Sequence, residues 1–144
     1  MPCNPVCDPC ACPPGFVPYP QPWNPVIAPD TPEVAVSSIV INTATYFVAG
    51  KVVWFNLWAS FTLALVAPAV SGPAYMTFSL PHAPKTPTSF GGSCSINAGP
   101  GFVAGAWFLN TTSPIQVRVG ANNPNVWNPG NFRTIIGNGF YEKL

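Results

Sequence analysis

Residues 52–70 read VVWFNLWASFTLALVAPAV, a stretch without a single charged side chain. About 20 apolar residues cross a bilayer as a helix, so a membrane span is the first reading to test. The spacing argues against it. Val53, Phe55, Leu57, Ala59, Phe61, Leu63 and Leu65 fall on odd positions, whereas Asn56, Ser60 and Thr62 fall on even ones. A period of two belongs to a strand with one buried face. We therefore read a strand and expect no membrane insertion.

The same alternation extends in both directions. Ile115, Val117 and Val119 alternate with Gln116 and Arg118, and Met76, Phe78 and Leu80 alternate with Tyr75, Thr77 and Ser79. Strands are expected near residues 34–42, 44–49, 51–66, 74–80, 88–96, 101–109, 114–120 and 132–141. Between them lie turn-rich stretches such as APAVSGP, PHAPKTPTSFGG and GANNPNVWNPGN. No segment sustains a helical period, and no internal repeat suggests a propeller or solenoid. The expected fold class is all-β: a jelly-roll-like β-sandwich over residues 33–144.

Residues 1–32 differ in composition. They hold eleven of the twenty prolines, a density that excludes a helix or a central strand and favours extended polyproline II. We expect this segment to be a proline- and cysteine-rich arm. Phe16, Tyr19 and Trp23 punctuate it, and each can pack on the protein's own domain or on a partner.

The chain of 144 residues suggests one core. Its charge is sparse, with five Lys or Arg and four Asp or Glu, yet 48% of residues are hydrophobic. Such a chain can bury a core, but it has little repulsion to keep copies apart. An oligomer or a part of a larger assembly is expected. A net charge of +1 leaves no electrostatic footprint for nucleic acid. The even face of the long strand fits this picture: Trp54 and Trp58 share a side away from the core, as a subunit interface would require. Cover by a loop of the same chain is the alternative.

Catalytic chemistry finds little to work with, and neither an enzyme nor a cofactor is expected. His82 is the only histidine, flanked by prolines and remote from any acid, and Asp8, Asp30, Glu33 and Glu142 lie in the arm or at the far end. Cys94 reads as a buried structural thiol rather than a partner of His82. The NTT sequon at Asn110 reads as chance, since the chain shows no secretory signal. The loop at 121–131, ANNPNVWNPGN, is more suggestive. Trp127 offers a flat ring, and Asn123, Asn125 and Asn128 offer amides, a combination suited to a host cell-surface glycan. Asn, Pro and Gly are also ordinary turn residues.

Four of the five cysteines, Cys3, Cys7, Cys10 and Cys12, stand in the first dozen residues. Three readings compete. A metal or iron–sulfur site would need paired knuckles or regular gaps that C-x3-C-x2-C-x-C lacks. A local disulfide would need the arm to turn, because one polyproline turn separates Cys7 and Cys10 by roughly 9 Å, against the roughly 4.4–6.8 Å a disulfide spans. Bridging to other chains needs neither, and it makes the tip an anchor. We adopt this intermolecular reading and no metal.

TYFVAGKVVWFNLWASFTL, AYMTFSLPHAP and the closing NFRTIIGNGFYEK resemble the β-sandwich head domains of bacteriophage tail fibres. The resemblance covers roughly residues 40–142. It implies a homotrimeric virion protein of the tail, docked by its N-terminal segment on the baseplate and meeting the host surface with its head. The four arm cysteines would then join baseplate wedge proteins or neighbouring fibres. The chain departs from larger fibres in lacking stem repeats. A capsid decoration protein is the nearest alternative, and a metal-binding redox module is one of another class.

Overall fold

The computed structural model describes residues 20–66, 75–85, 90–99, 101–109, 116–121 and 127–144. Among the described residues nine strands follow in chain order: β1 (Gln21–Pro22), β2 (Ile27–Pro29), β3 (Val34–Ala49), β4 (Val52–Leu65), β5 (Met76–Ser79), β6 (Phe90–Asn97), β7 (Phe102–Leu109), β8 (Gln116–Ala121) and β9 (Gly130–Glu142). Residues Val52–Leu65 of the stretch read first are a strand, and its odd residues from Val53 to Leu63 are all buried. Leu65, at its end, is exposed. The expected 34–42 and 44–49 are one continuous strand, because pairing to β4 resumes after each interruption.

All pairings are antiparallel, in the order β1-β3-β4-β9-β6-β7-β8-β5-β2. The ladder folds over where β6 meets β7, so that β7, β8, β5 and β2 lie across the inner face of β3, β4 and β9. Trp107 of β7 and Phe78 of β5 reach Phe55 of β4, each at 5.8 Å between ring centroids. The result is the expected jelly-roll-like sandwich. Strands β6, β7, β8 and β5 form a Greek key, three successive hairpin partners with the preceding strand beside the last.

The two ends of this ladder are neighbours in sequence. Residues 20–32, counted with the arm on their prolines, supply β1 at one end and β2 at the other. Proline is tolerated there because only one side of an edge strand must donate, so Pro22 and Pro29 break no inner ladder. Trp23, between them, closes the seam. Its backbone N–H donates to Ala44 O at 3.0 Å and its indole N–H to Ser79 O at 3.1 Å, joining the two layers. Its ring lies 5.9 Å from Phe55, so its partner is its own domain. Phe16 and Tyr19 lie outside the described residues.

The closing G-x-G-x-Y acquires a packing reason. Gly137, Gly139 and Tyr141 alternate along β9 and face inward. A Cβ on Gly139 would stand 2.5 Å from the Phe55 ring, and one on Gly137 would stand 2.6 Å from Trp107. The missing side chains make room for the central aromatic cluster. At the β3–β4 hairpin, Gly50 (φ +60°) occupies the first of two turn positions, where a primed turn needs a left-handed residue.

Candidate functional site

The outer face of β3, β4 and β9 is built from rows set by their register. Phe47, Trp54 and Phe140 form one row, with Phe47 and Trp54 stacked at 6.1 Å and Trp54 and Phe140 at 4.9 Å. Next come Thr45, Asn56 and Asn138, then Thr43, Trp58 and Ile136. Rows repeat roughly every 7 Å along the strands. None of these side chains is charged. Trp54 is 41% and Trp58 46% exposed in the single chain, so no loop among the described residues covers them.

Further along, the ladder loses its regularity three times in one place. Ser38 and Ile39 together oppose Phe61, Asn42 is an extra residue between Ile41 and Thr43, and Asn131 and Phe132 together oppose Thr62. Each is a β-bulge, which bends its strand and re-aims a side chain. Between the bulges of β3 and β9 lies a groove of about 530 Å³ on the outer surface of β4, lined by Ser38, Val40, Asn42, Ser60, Phe61, Thr62, Asn131 and Phe132.

Ser38 (φ +51°) and Phe132 (φ +56°) are the non-glycine residues with left-handed backbone among those described, one from each wall. Such a conformation costs on the order of 1–3 kcal/mol and persists only where the surroundings enforce it. At Phe132 the enforcement is visible. Arg133 donates from Nε to Asn128 O and from Nη2 to Pro129 O, both at 2.7 Å, and from Nη1 to Asn131 O at 3.4 Å. Thr134 Oγ1 donates to Phe132 O at 3.2 Å, and Thr62 Oγ1 to Asn131 Oδ1 at 3.3 Å. The ring held this way is 79% exposed.

Trp127 requires a correction. It is completely buried, with its ring 5.6 Å from Phe61 beneath the groove, and it presents no surface to a glycan. An indole is more stabilising in the core than in a polar loop, whatever amides adjoin it in sequence. Asn128 is exposed, with its backbone N–H bonded to Ala98 O at 2.7 Å. Asn123, Asn125, the sequon Asn110 and all four arm cysteines lie outside the described residues.

His82 and Cys94 have separate partners. The Tyr141 hydroxyl donates to His82 O at 2.9 Å and accepts from His82 N–H at 3.1 Å, and Tyr46 meets the imidazole edge-on at 5.2 Å. Desolvation, helped by the charge on Lys143, lowers the His82 pKa. Burial raises Tyr141 above the ordinary tyrosine value and pushes the Cys94 thiol up to about 12. A thiol so rarely ionised is a poor nucleophile. Glu142 pairs with Lys85 at 3.2 Å on the surface. Among the described residues no three His, Cys, Asp or Glu side chains gather as a metal site.

Sequence reasoning missed the groove because Ser38 and Phe132 carry no mark of bulge formation. The cluster NPGN at 128–131, which reads as a turn just before the strand expected at 132–141, is the available signal. No family model matches the chain, and neither a curated protein nor a solved structure is similar to it.

Proposed function

We propose that the protein is a virion structural protein, a short phage tail fibre of three identical chains. Its sandwich heads associate through the outer face of β3, β4 and β9 and contact the host surface. Its N-terminal arm is fastened to baseplate proteins through disulfides from Cys3, Cys7, Cys10 and Cys12. The observation that carries this reading is the pair of half-exposed tryptophans among three successive rows of uncharged side chains, with charge on this face beginning only at its end, where Glu142 pairs with Lys85. Large aromatic side chains without neighbouring charge characterise the buried centre of protein interfaces, and a flat sheet presents them in one plane. The arm's role is supported by its sequence: a slender proline-rich segment buries little surface, and sulfur bonds supply the attachment that burial does not.

Light scattering on the purified chain tests the head. A mass of three chains is expected, falling to that of one in Trp54→Ser/Trp58→Ser with secondary structure retained. A single-chain mass for the wild type overturns the trimer. Non-reducing electrophoresis of purified particles tests the arm: the protein should run above monomer mass until reductant is added, and a monomer band without reductant overturns covalent anchoring.

A further inference from the structure

The bulge-walled groove is lined by residues of β3, β4 and β9 and does not include the tryptophan rows. Three of its properties restrict what can occupy it. Among the described residues no ionisable side chain lines it, and the nearby Arg133 guanidinium is engaged by the carbonyls of Asn128, Pro129 and Asn131. A phosphate, a nucleic-acid backbone or an acidic peptide would find no counter-charge. The polar groups present are the hydroxyls of Ser38, Ser60 and Thr62 and the amides of Asn42 and Asn131; Thr62 Oγ1 donates to Asn131 Oδ1 and Ser60 Oγ is bonded to Thr134 Oγ1, both at 3.3 Å, which leaves hydroxyl lone pairs to accept and amide N–H groups to donate. A ligand hydroxyl has the same double character. Finally, Phe132 holds a ring in water from a backbone conformation that phenylalanine rarely adopts. The ring gains little from its own fold there, whereas the C–H face of a sugar ring would cover it. The volume of about 530 Å³ suits a small-molecule site.

We propose that this groove binds a neutral oligosaccharide, with one sugar ring stacked on Phe132 and neighbouring hydroxyls bonded by Asn42, Asn131, Ser60 and Thr62. It gives the chemistry of the head's contact with a host surface, and it rests on the tail-fibre reading only for that setting. Binding is measured on the protein alone, so failure here leaves the mass and electrophoresis results standing.

The full chain is titrated with maltohexaose, cellohexaose, chitohexaose and mannohexaose, with oligogalacturonate as the acidic control, by calorimetry and saturation-transfer NMR. At least one neutral hexasaccharide is expected to bind with a Kd on the order of 1 mM or tighter. Phe132→Gly should weaken it at least about tenfold while the melting temperature holds or rises, because glycine accepts the left-handed backbone without strain. Val26→Ser, on the exposed β1–β2 connection, should bind as the wild type does. The proposal is overturned if none of the neutral sugars binds, if Phe132→Gly binds equally well, or if the acidic oligomer binds best. It is also overturned if Phe132→Gly instead dissolves the oligomer, which would assign the groove to a second copy of the chain.

Discussion

The two halves of the β3–β4–β9 ladder share the same three strands and differ in regularity. From Thr43 to Ala49 and from Ile135 to Glu142 every residue has one partner, and the outer face is a plane of alternating aromatic and amide rows. From Val34 to Asn42 and from Gly130 to Thr134 the strands bulge, and the plane becomes a groove. Pairing without interruption gives a surface suited to another flat surface. Three surplus residues, with no change of strand identity, give a concavity suited to something smaller. The bulges also blunt the open edge of β3, which β1 covers only at Thr45 and Tyr46.

The contrast breaks most readily from below. Trp127 supports the bulged half through Phe61, so Trp127→Ala should remove about 3–5 kcal/mol from unfolding, read as a shift in denaturant midpoint. Trp127→Phe should recover most of that loss. A Trp127→Ala protein of wild-type stability would show that the groove half does not depend on its floor.

The regular half is tight rather than supported. Gly139→Ala sets a methyl 2.5 Å from Phe55 and 2.9 Å from Gly91 O, and an overpacked core loses about 1–3 kcal/mol. If the effect is packing, Gly139→Ala combined with Phe55→Leu should be less destabilised than the sum of the two changes. Strict additivity would refute it.

The smallest expected effect is a pH dependence that belongs to the regular half and to β6 paired beside it. Tyr141 on β9 and Cys94 on β6 both have folded-state pKa values above their ordinary ones, chiefly through burial. The neutral forms are favoured in the fold. Their contribution is therefore complete below about pH 9 and is lost as pH rises toward about 12, where the thiol ionises in place. Denaturant midpoints should fall progressively above pH 9, and Cys94→Ala should flatten the first part of that fall. An unchanged slope in this variant would remove Cys94 from the account.

Much of the regular half was legible in the sequence. Alternation in VVWFNLWASFTL is a local property, because a strand that buries one face must repeat every two residues wherever it packs. It placed Phe55, Leu57 and Phe61 inside and Trp54 and Trp58 outside, as found. The closing G-x-G-x-Y lies inside the strand expected at 132–141, although the reason for its glycines, room for Phe55 and Trp107, needs the other strands. The candidate glycan site was much less legible. Tryptophan among asparagines reads as a binding loop until the distance from Trp127 to Phe61 is known, and no local rule announces a bulge at Ser38 or a left-handed Phe132.

The sequence by itself determined that this is a charge-poor, all-β chain with one apolar face per strand and an unlike, cysteine-bearing N-terminal segment. Those properties follow from composition and from the two-residue period. Only the tertiary structure decided where the sheet closes, which prolines belong to it, that Trp127 is core, and that Ser38 and Phe132 meet across one groove. Each of these depends on residues far apart in the chain occupying the same space, and that information resides in the register between strands rather than in any one of them.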